Sequence, residues 1–469
     1  MKLKVRAGLA LVPALMMALP VSAGAVARPA GRAQLSRTAA AGAGCHLHVL
    51  GETRSSSAET AEWQSVFSAF QAKYHCTVTA TWEGQFTNVP EVLNEERLAH
   101  LPVDIVTNGT TNYDLATSGS ILDLTKLVAP YAGHFEPGTL TPFVLDGRIW
   151  AVPIEPETSS VIFYNASLFK KLGLNPSMTY AQLVHAGGVI RSKTKMAPMV
   201  EGGGDTWEWP MWYMAALAQT SGNRSVPDTD LFLEGKQQFT VPASVSALQD
   251  IAAFSKDKLL NETALAVNEN GANAAFLQGK AAMMMDGTWD LPTLRQAHPS
   301  FTLGVFTFPL VVNAKGVVAQ SNGSPSEGLS VPSSIPKADI PMADQFLEFI
   351  TTGQQANKIQ STLVPVVPTI KGVKPDNDPL SAALRQDLTR TNGWLDWLWP
   401  ANVVTSVENA IEGVLFSGQS PQAAAQSVQT ELNTLRQTQG YTFDFWDKWS
   451  SAQRAQVEPP SVPKVQVQS

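Results

Sequence analysis

Between residues 46 and 107, apolar strand-like runs alternate with amphipathic stretches, and this alternation narrows the fold more than any other feature of the chain. His46–Leu50 and Thr77–Trp82 read as strands. Between them Trp63, Val66, Phe67, Phe70 and Tyr74 recur at helical spacing, behind a capping box formed by Ser56 and Glu59. A second helix is expected over about Val89–Leu98, and a third strand over Val103–Thr107 that runs into Asn108, Gly109 and Thr110. Such alternation predicts a mainly parallel sheet with helices on both faces. Sheets of this kind place ligands beyond the carboxyl ends of their strands.

The theme returns downstream. Asp146–Gly147 is a turn signal between Phe143–Leu145 and Ile149–Val152. A strand over Ser160–Tyr164 precedes a helix ending at Gly173, and Thr179 with Gln182 forms another capping box. In residues 276–289, FLQGKAAMMMDGTW, a helix (Ala272–Gln278) ends before Gly279 and an apolar strand (Ala281–Met285) follows. That strand delivers Asp286, Gly287 and Trp289 to its carboxyl end. Thr302–Phe306 and Leu329–Val331 are further strands, and Met342–Thr351 is a helix. Residues 402–449 are mainly helical, with Val403, Val407, Ile411 and Val414 on one face.

At 469 residues, two domains are expected. The first 27 residues read as a secretory signal: Lys2, Lys4 and Arg6, then an apolar stretch from Leu9 to Pro20, then small residues with Ala23, Ala25 and Ala27 as cleavage positions. The stretch is too short for a comfortable membrane span. Its removal takes away three basic residues and no acid, so 33 basic residues become 30 against 40 acidic ones and the balance moves from −7 to −10. That balance argues against a nucleic-acid partner, which needs a positive surface. Residues 28–44 form a flexible leader and 451–469 a Pro-containing disordered tail. Cys45 and Cys76 are the only cysteines, and each immediately precedes a predicted strand. In an exported protein they suggest a disulfide at the amino edge of the sheet, away from the ligand edge. A lipid-modified Cys45 is the rival, against which Gly42 stands where a lipobox has an aliphatic residue.

Catalytic chemistry finds little footing. There is no G-x-S-x-G elbow, since Pro332 follows Gly328-Leu329-Ser330-Val331 where a glycine is required. His46 and His48 share one face of a strand, where a sheet-lining role competes with metal ligation, and no His/Cys/Asp cluster has zinc spacing. Gly202–Gly204 lack a Walker lysine and read as a flexible loop. Glu52, Glu83, Glu155, Glu157, Asp286 and Asp290 fall near strand ends, where a carboxylate pair could serve a glycosidase or simply accept bonds from sugar hydroxyls. The aromatics say more. Trp207, Trp209, Trp212 and Tyr213 crowd one segment behind the glycines, and Trp394, Trp397 and Trp399 another. A flat ring can cover the C–H face of a sugar, while the hydroxyls at its edge need polar partners. Core packing is the reading for Trp63, Trp150, Trp446 and Trp449.

Several segments, in order, resemble the sugar-specific extracellular solute-binding proteins that feed ABC importers, of which the maltose-binding protein is a member. They are PVDIVTNGTTNYDLATSGSILDLTKLV, GRIWAVPIEPETSSVIFYNASLFKKLGL with its Tyr164–Asn165 pair, FLQGKAAMMMDGTW and ADQFLEFITTGQQANKIQ. The resemblance spans about residues 46–440. It implies an α/β, type II periplasmic-binding-protein fold, with two lobes, a hinge and a cleft between them. The amino lobe would take 45–153 and 309–365, and the carboxyl lobe 154–308 and 366–450. Locally the resemblance puts Glu52 at a sugar-binding carboxylate. Asn108 and Thr111 fall where the maltose-binding pattern has Trp and Asp, which weakens any case for maltose itself. Glu157 and Thr158 flank a further carboxylate, Trp207 and Trp289 match stacking aromatics, and Trp394 and Trp397 lie near a third. Trp82, Glu83, Thr110, Trp209, Asp286 and Gly287 complete the expected ligand site, with no cofactor, no metal and no catalytic group. The expected role is that of a monomeric, exported protein, periplasmic or at the cell surface, handing a mono- or oligosaccharide to a membrane permease. An exported glycosidase, a binding protein for a non-sugar solute and a lobe pair that signals to a receptor remain the alternatives.

Overall fold

In this computed structural model the described residues are 44–438, less 55–56, 83–88, 110–111, 137–138, 141–142, 146, 177–178, 262, 298, 318, 320, 364–365 and 389–398. The expected signal, all but the last residue of the leader, the tail and Ser56 of the first capping box lie outside them. The strands in chain order are β1 (His46–Gly51), β2 (Thr77–Trp82), β3 (Ile105–Asn108), β4 (Val144–Leu145), β5 (Arg148–Ile149), β6 (Val152–Ser159), β7 (Val161–Asn165), β8 (Ala197–Val200), β9 (Ala281–Asp286), β10 (Leu303–Thr307) and β11 (Asn322–Ser330). A five-stranded sheet has the order β2-β1-β3-β11-β6 and a four-stranded sheet the order β10-β7-β9-β8, while β4 and β5 form a small hairpin.

Parallel pairing of β1 with β2 and β3 follows from the helices that separate them in sequence, Ser57–Tyr74 and Val89–Leu98. The register His46↔Thr77 brings the preceding residues together, and Cys45 and Cys76 are joined in a disulfide. Trp63, Phe67 and Phe70 of the first helix pack with Val49, Ile105, Phe346 and Ile350 into the first lobe's core. His46 and His48 line the sheet: their rings share hydrogen bonds with Thr79 and Thr81 of β2 at 3.0–3.1 Å. Burial, and then the charge of His46, lowers the His48 pKa to about 4.

The second sheet carries the other lobe. The helix Tyr180–Lys193 opens on the Thr179/Gln182 capping box and packs on β8; Glu269–Leu277 packs on β9. Glu208–Thr220 is buried at every position and forms the centre of a helical layer with Pro242–Lys256, Ala401–Phe416 and Pro421–Thr438. A helix apolar on all sides is stable only when enclosed in this way.

Two long antiparallel strands, β6 and β11, pair from Val152↔Leu329 to Ser159↔Asn322 and link the lobes. The chain passes to the second sheet at Ser160, which has φ 58°, and returns at Ser321, whose hydroxyl donates to the Ser160 carbonyl at 2.8 Å. These crossings differ from the expected 153/154 and 308/309. Leu310 bridges Thr179, and the Asn313 amide donates to Asp250, so residues after 309 still belong to the second lobe. Around the expected third crossing at 365/366 the chain touches both lobes: Val366 packs with Val161, Phe163 and Leu384 of the second, Ile370 bridges Phe135 in the first, and the helix Pro379–Leu388 packs on β10. Apolar patterning marks strands and helices but does not say which core a connecting loop enters. β11 begins at Asn322 rather than Leu329, and its pairing with β6 shifts between Pro325 and Gly328.

Candidate ligand site

Parallel β8 and β9 end side by side, so the loops that follow them meet. After β9 the backbone turns at Gly287 into the short 3-10 turn Thr288–Asp290. A Cβ at Gly287 would stand 2.0 Å from the Trp289 ring, so glycine lets this indole fold back over its own strand end. The Trp289 Nε1–H then donates to Glu269 at 2.6 Å. Asp290 accepts both bonds from the Asn273 amide, at 2.9 and 2.8 Å, and Asp286 accepts from the Gly287 N–H at 2.7 Å.

After β8 come Glu201 and the three glycines. The expectation of a flexible loop here is corrected: a Cβ on Gly203 would stand 2.1 Å from the Trp209 ring, so the loop lies flat on a core indole. Trp207 projects from this loop beside Trp289, with ring centroids 5.8 Å apart and the planes inclined at 56°. Both rings are half-buried, and both belong to the second lobe. Trp209 is different. It is wholly buried against Trp212 and Phe416, which corrects its assignment to the ligand surface.

Around the ring pair the sequence reading underrated the acids. Glu201, Asp205, Glu208, Glu269, Asp286 and Asp290 converge there, and among the described residues none is paired with a Lys or Arg. Burial pushes the Glu269 pKa up to about 8, reinforced by the charge of Asp290. Glu201 is likewise raised to about 8 by burial, against bonds from Glu208 and Trp212 that lower it. Burial, and then the charges of Asp290, Glu269 and Glu208, lifts Asp286 well above the carboxylate range. Glu208 rises through burial and then the charge of Glu201. The signal that could have found Glu269 is its place just after Asn268, the side chain that caps the helix Glu269–Leu277.

The first lobe presents a different surface. Glu52 is half-buried after β1; its N–H donates to the Thr107 hydroxyl and its carbonyl accepts from Arg54 Nε. Arg54, which sequence reasoning passed over, donates to Glu155 at 2.7 Å, to Glu59 at 3.1 Å and to both oxygens of Glu327 at 2.7 and 3.0 Å. Its Cζ lies 4.6 Å from the Trp82 ring centroid, so one face of that indole is covered by an internal cation. Asn108 is fully buried and donates to Asn112 and Ser330. It fastens β3 to β11, a correction to its assignment at the cleft. Thr158 is buried too, and its N–H donates to the Thr288 hydroxyl, tying the crossing strand β6 to the turn that carries Trp289. Glu83, Thr110, Thr111, Trp394, Trp397 and the side chain of Glu157 lie outside the described residues.

Two α/β lobes joined by crossing strands, with loops gathered at the carboxyl strand ends, define a type II periplasmic-binding-protein fold. The chain belongs to the bacterial extracellular solute-binding protein family, which it matches over residues 54–357. A curated relative, the "Multiple sugar-binding protein" of Streptococcus mutans, is 25% identical over 287 residues, 57% of this chain. The match covers 63% of that relative, so the chain spans less than two thirds of its length. Among solved structures, a "Chitin oligosaccharide binding protein" superposes with TM-score 0.69 at 20% identity, over 83% of this chain and 98% of that one. "SBP RafE in complex with raffinose" gives 0.65 at 19%, over 83% and 99%. The maltose/maltodextrin-binding domain MalE of Bdellovibrio bacteriovorus, bound to maltotriose, gives 0.64 at 17%, over 84% and 100%. These likenesses establish the shared fold. Among the described residues no helix is long and apolar enough to cross a membrane.

Proposed function

We propose that this protein captures a mono- or oligosaccharide between its lobes and delivers it to the permease of an ABC importer. The observation that carries the reading is the half-buried Trp207/Trp289 pair, held at the carboxyl ends of β8 and β9 among carboxylates. Inclined indoles offer apolar faces to pyranose C–H groups, and acidic oxygens accept from ring hydroxyls. Relatives whose printed names include sugars support the same class. Glu52 and Trp82 on the first lobe are the groups proposed to face the ligand from the other side. A ligand touching both lobes favours the closed arrangement by as much as its extra contacts there. No bond is made or broken in this role. The protein is proposed to act outside the cytoplasm as a monomer, and the Cys45–Cys76 disulfide engages the one thiol a lipid anchor would have used.

Isothermal titration against a panel of oligosaccharides tests this directly. Binding by the wild type is expected, with Trp289→Ala weakening it by about tenfold or more, the loss typical of a buried aromatic anchor. A silent sugar panel with binding of another solute class overturns the sugar reading. Release of shortened products from an oligosaccharide overturns the non-enzymatic one.

A further inference from the structure

The carboxylates next to the ring pair do more than border a sugar. Oxygens of Glu269, Asp286 and Asp290 lie within 4.8 Å of one another. Two donors held at calcium–oxygen distances from one ion stand at most about 5 Å apart, so the spacing suits a shared cation. Behind them Glu208 is 1% exposed, and apart from its carboxyl–carboxyl contact with Glu201 neither of its oxygens has a hydrogen-bond partner. Asn273, a neutral side chain 6% exposed, reaches the same cluster with its nitrogen on both Asp290 oxygens and leaves its own Oδ1 without a partner. Asp286 Oδ2 is also without one. Buried oxygens left unpaired are costly, and like charges at this spacing repel unless protons or a cation lie between them.

We propose that Glu269, Asp286 and Asp290 hold a hard divalent cation of the calcium class, with Glu208 and the Asn273 amide oxygen as further donors. The donor set contains only oxygen, which selects calcium or magnesium over zinc and copper. Crowded protein oxygens in irregular array suit calcium, because magnesium retains most of its waters. The ion would also fix the ring platform. Asp290 shares a 3-10 turn with Trp289, and Glu269 receives the indole N–H, so two of its ligands position that ring. The cation site stands on these contacts whether or not the bound solute is a sugar.

The test uses the full chain stripped with EDTA. Added CaCl2 is expected to raise Tm by about 3 °C at a hundredfold excess over its Kd. Terbium is expected to emit when the protein's tryptophans are excited, and calcium to quench that emission by displacement. Asp290→Asn and, separately, Glu208→Gln should lose most of both responses. If neither calcium nor magnesium moves Tm and terbium shows no sensitised emission, the site is refuted and the carboxylates share protons instead. Sugar titration of the stripped protein is a separate readout: a silent panel beside a calcium response would refute the sugar reading alone.

Discussion

Replacing Arg54 by Met would leave Glu155 and Glu327 buried with no cation beside them among the described residues. The side chains of Arg54 and Glu327 are 4% and 0% exposed, so water offers little relief. Burial works against the Arg54 charge, but Glu327, Glu155 and Glu59 outweigh it and hold the guanidinium protonated. Breaking such a pair by removing one partner costs about 3–5 kcal/mol. Urea denaturation of Arg54→Met is expected to show a loss of that size. Glu155 makes the contrast. Burial and then the charge of Glu327 raise its pKa well above the ordinary value, which favours the neutral form, and Glu155→Gln is expected to change stability by no more than about 1 kcal/mol. None of this is legible along the chain, because Arg54 meets Glu155 across 101 positions and Glu327 across 273. Asn108 fails for the same reason: its place at a strand's carboxyl end is local, whereas its burial depends on Ser330, 222 positions away.

Elements, unlike side-chain partners, follow from neighbours in sequence. The Thr179/Gln182 box, the left-handed Gly173 closing the helix Ala166–Leu172, and strand β2 over Thr77–Trp82 stand where the reading puts them, since caps and periodicity act over one or two turns. The Cys45–Cys76 bridge was legible by the same logic, because two parallel strands with cysteines at matching positions align their amino ends. It closes a loop with a sequence separation of 31, for which the chain-entropy account gives about 3–4 kcal/mol. Cys45→Ser/Cys76→Ser is expected to unfold at correspondingly lower denaturant, with ligand affinity unchanged because β1 and β2 keep their register. Equal stability of the double variant and the wild type would show that the covalent link leaves the unfolded chain's freedom unaltered.

Across the whole molecule the carboxylate cluster sets the response to pH. Glu201 and Glu269 have folded pKa values of about 8 against 4.5 for the free side chain, in both cases chiefly through burial. The folded protein therefore holds those protons more tightly than the unfolded chain. Their contribution is complete below 4.5 and is lost as pH rises towards 8. His48 acts in the opposite sense: its pKa falls from 6.5 to about 4, so its contribution is present above 6.5 and is lost as pH drops through 4. The two trends compete below 6.5, and above it the carboxylates act alone. Stability in EDTA is thus expected to decline between about pH 5 and pH 8, most steeply in the upper half of that range, read as Tm or as urea midpoint. A bound divalent cation does the work of the protons, since it favours the ionised carboxylates. Calcium should accordingly flatten the decline at pH 8 while adding little near pH 5, where protons already occupy the same oxygens. A profile that is flat or rises from pH 5 to 8 in EDTA would mean that the folded protein holds the protons of these acids no more tightly than the unfolded chain does.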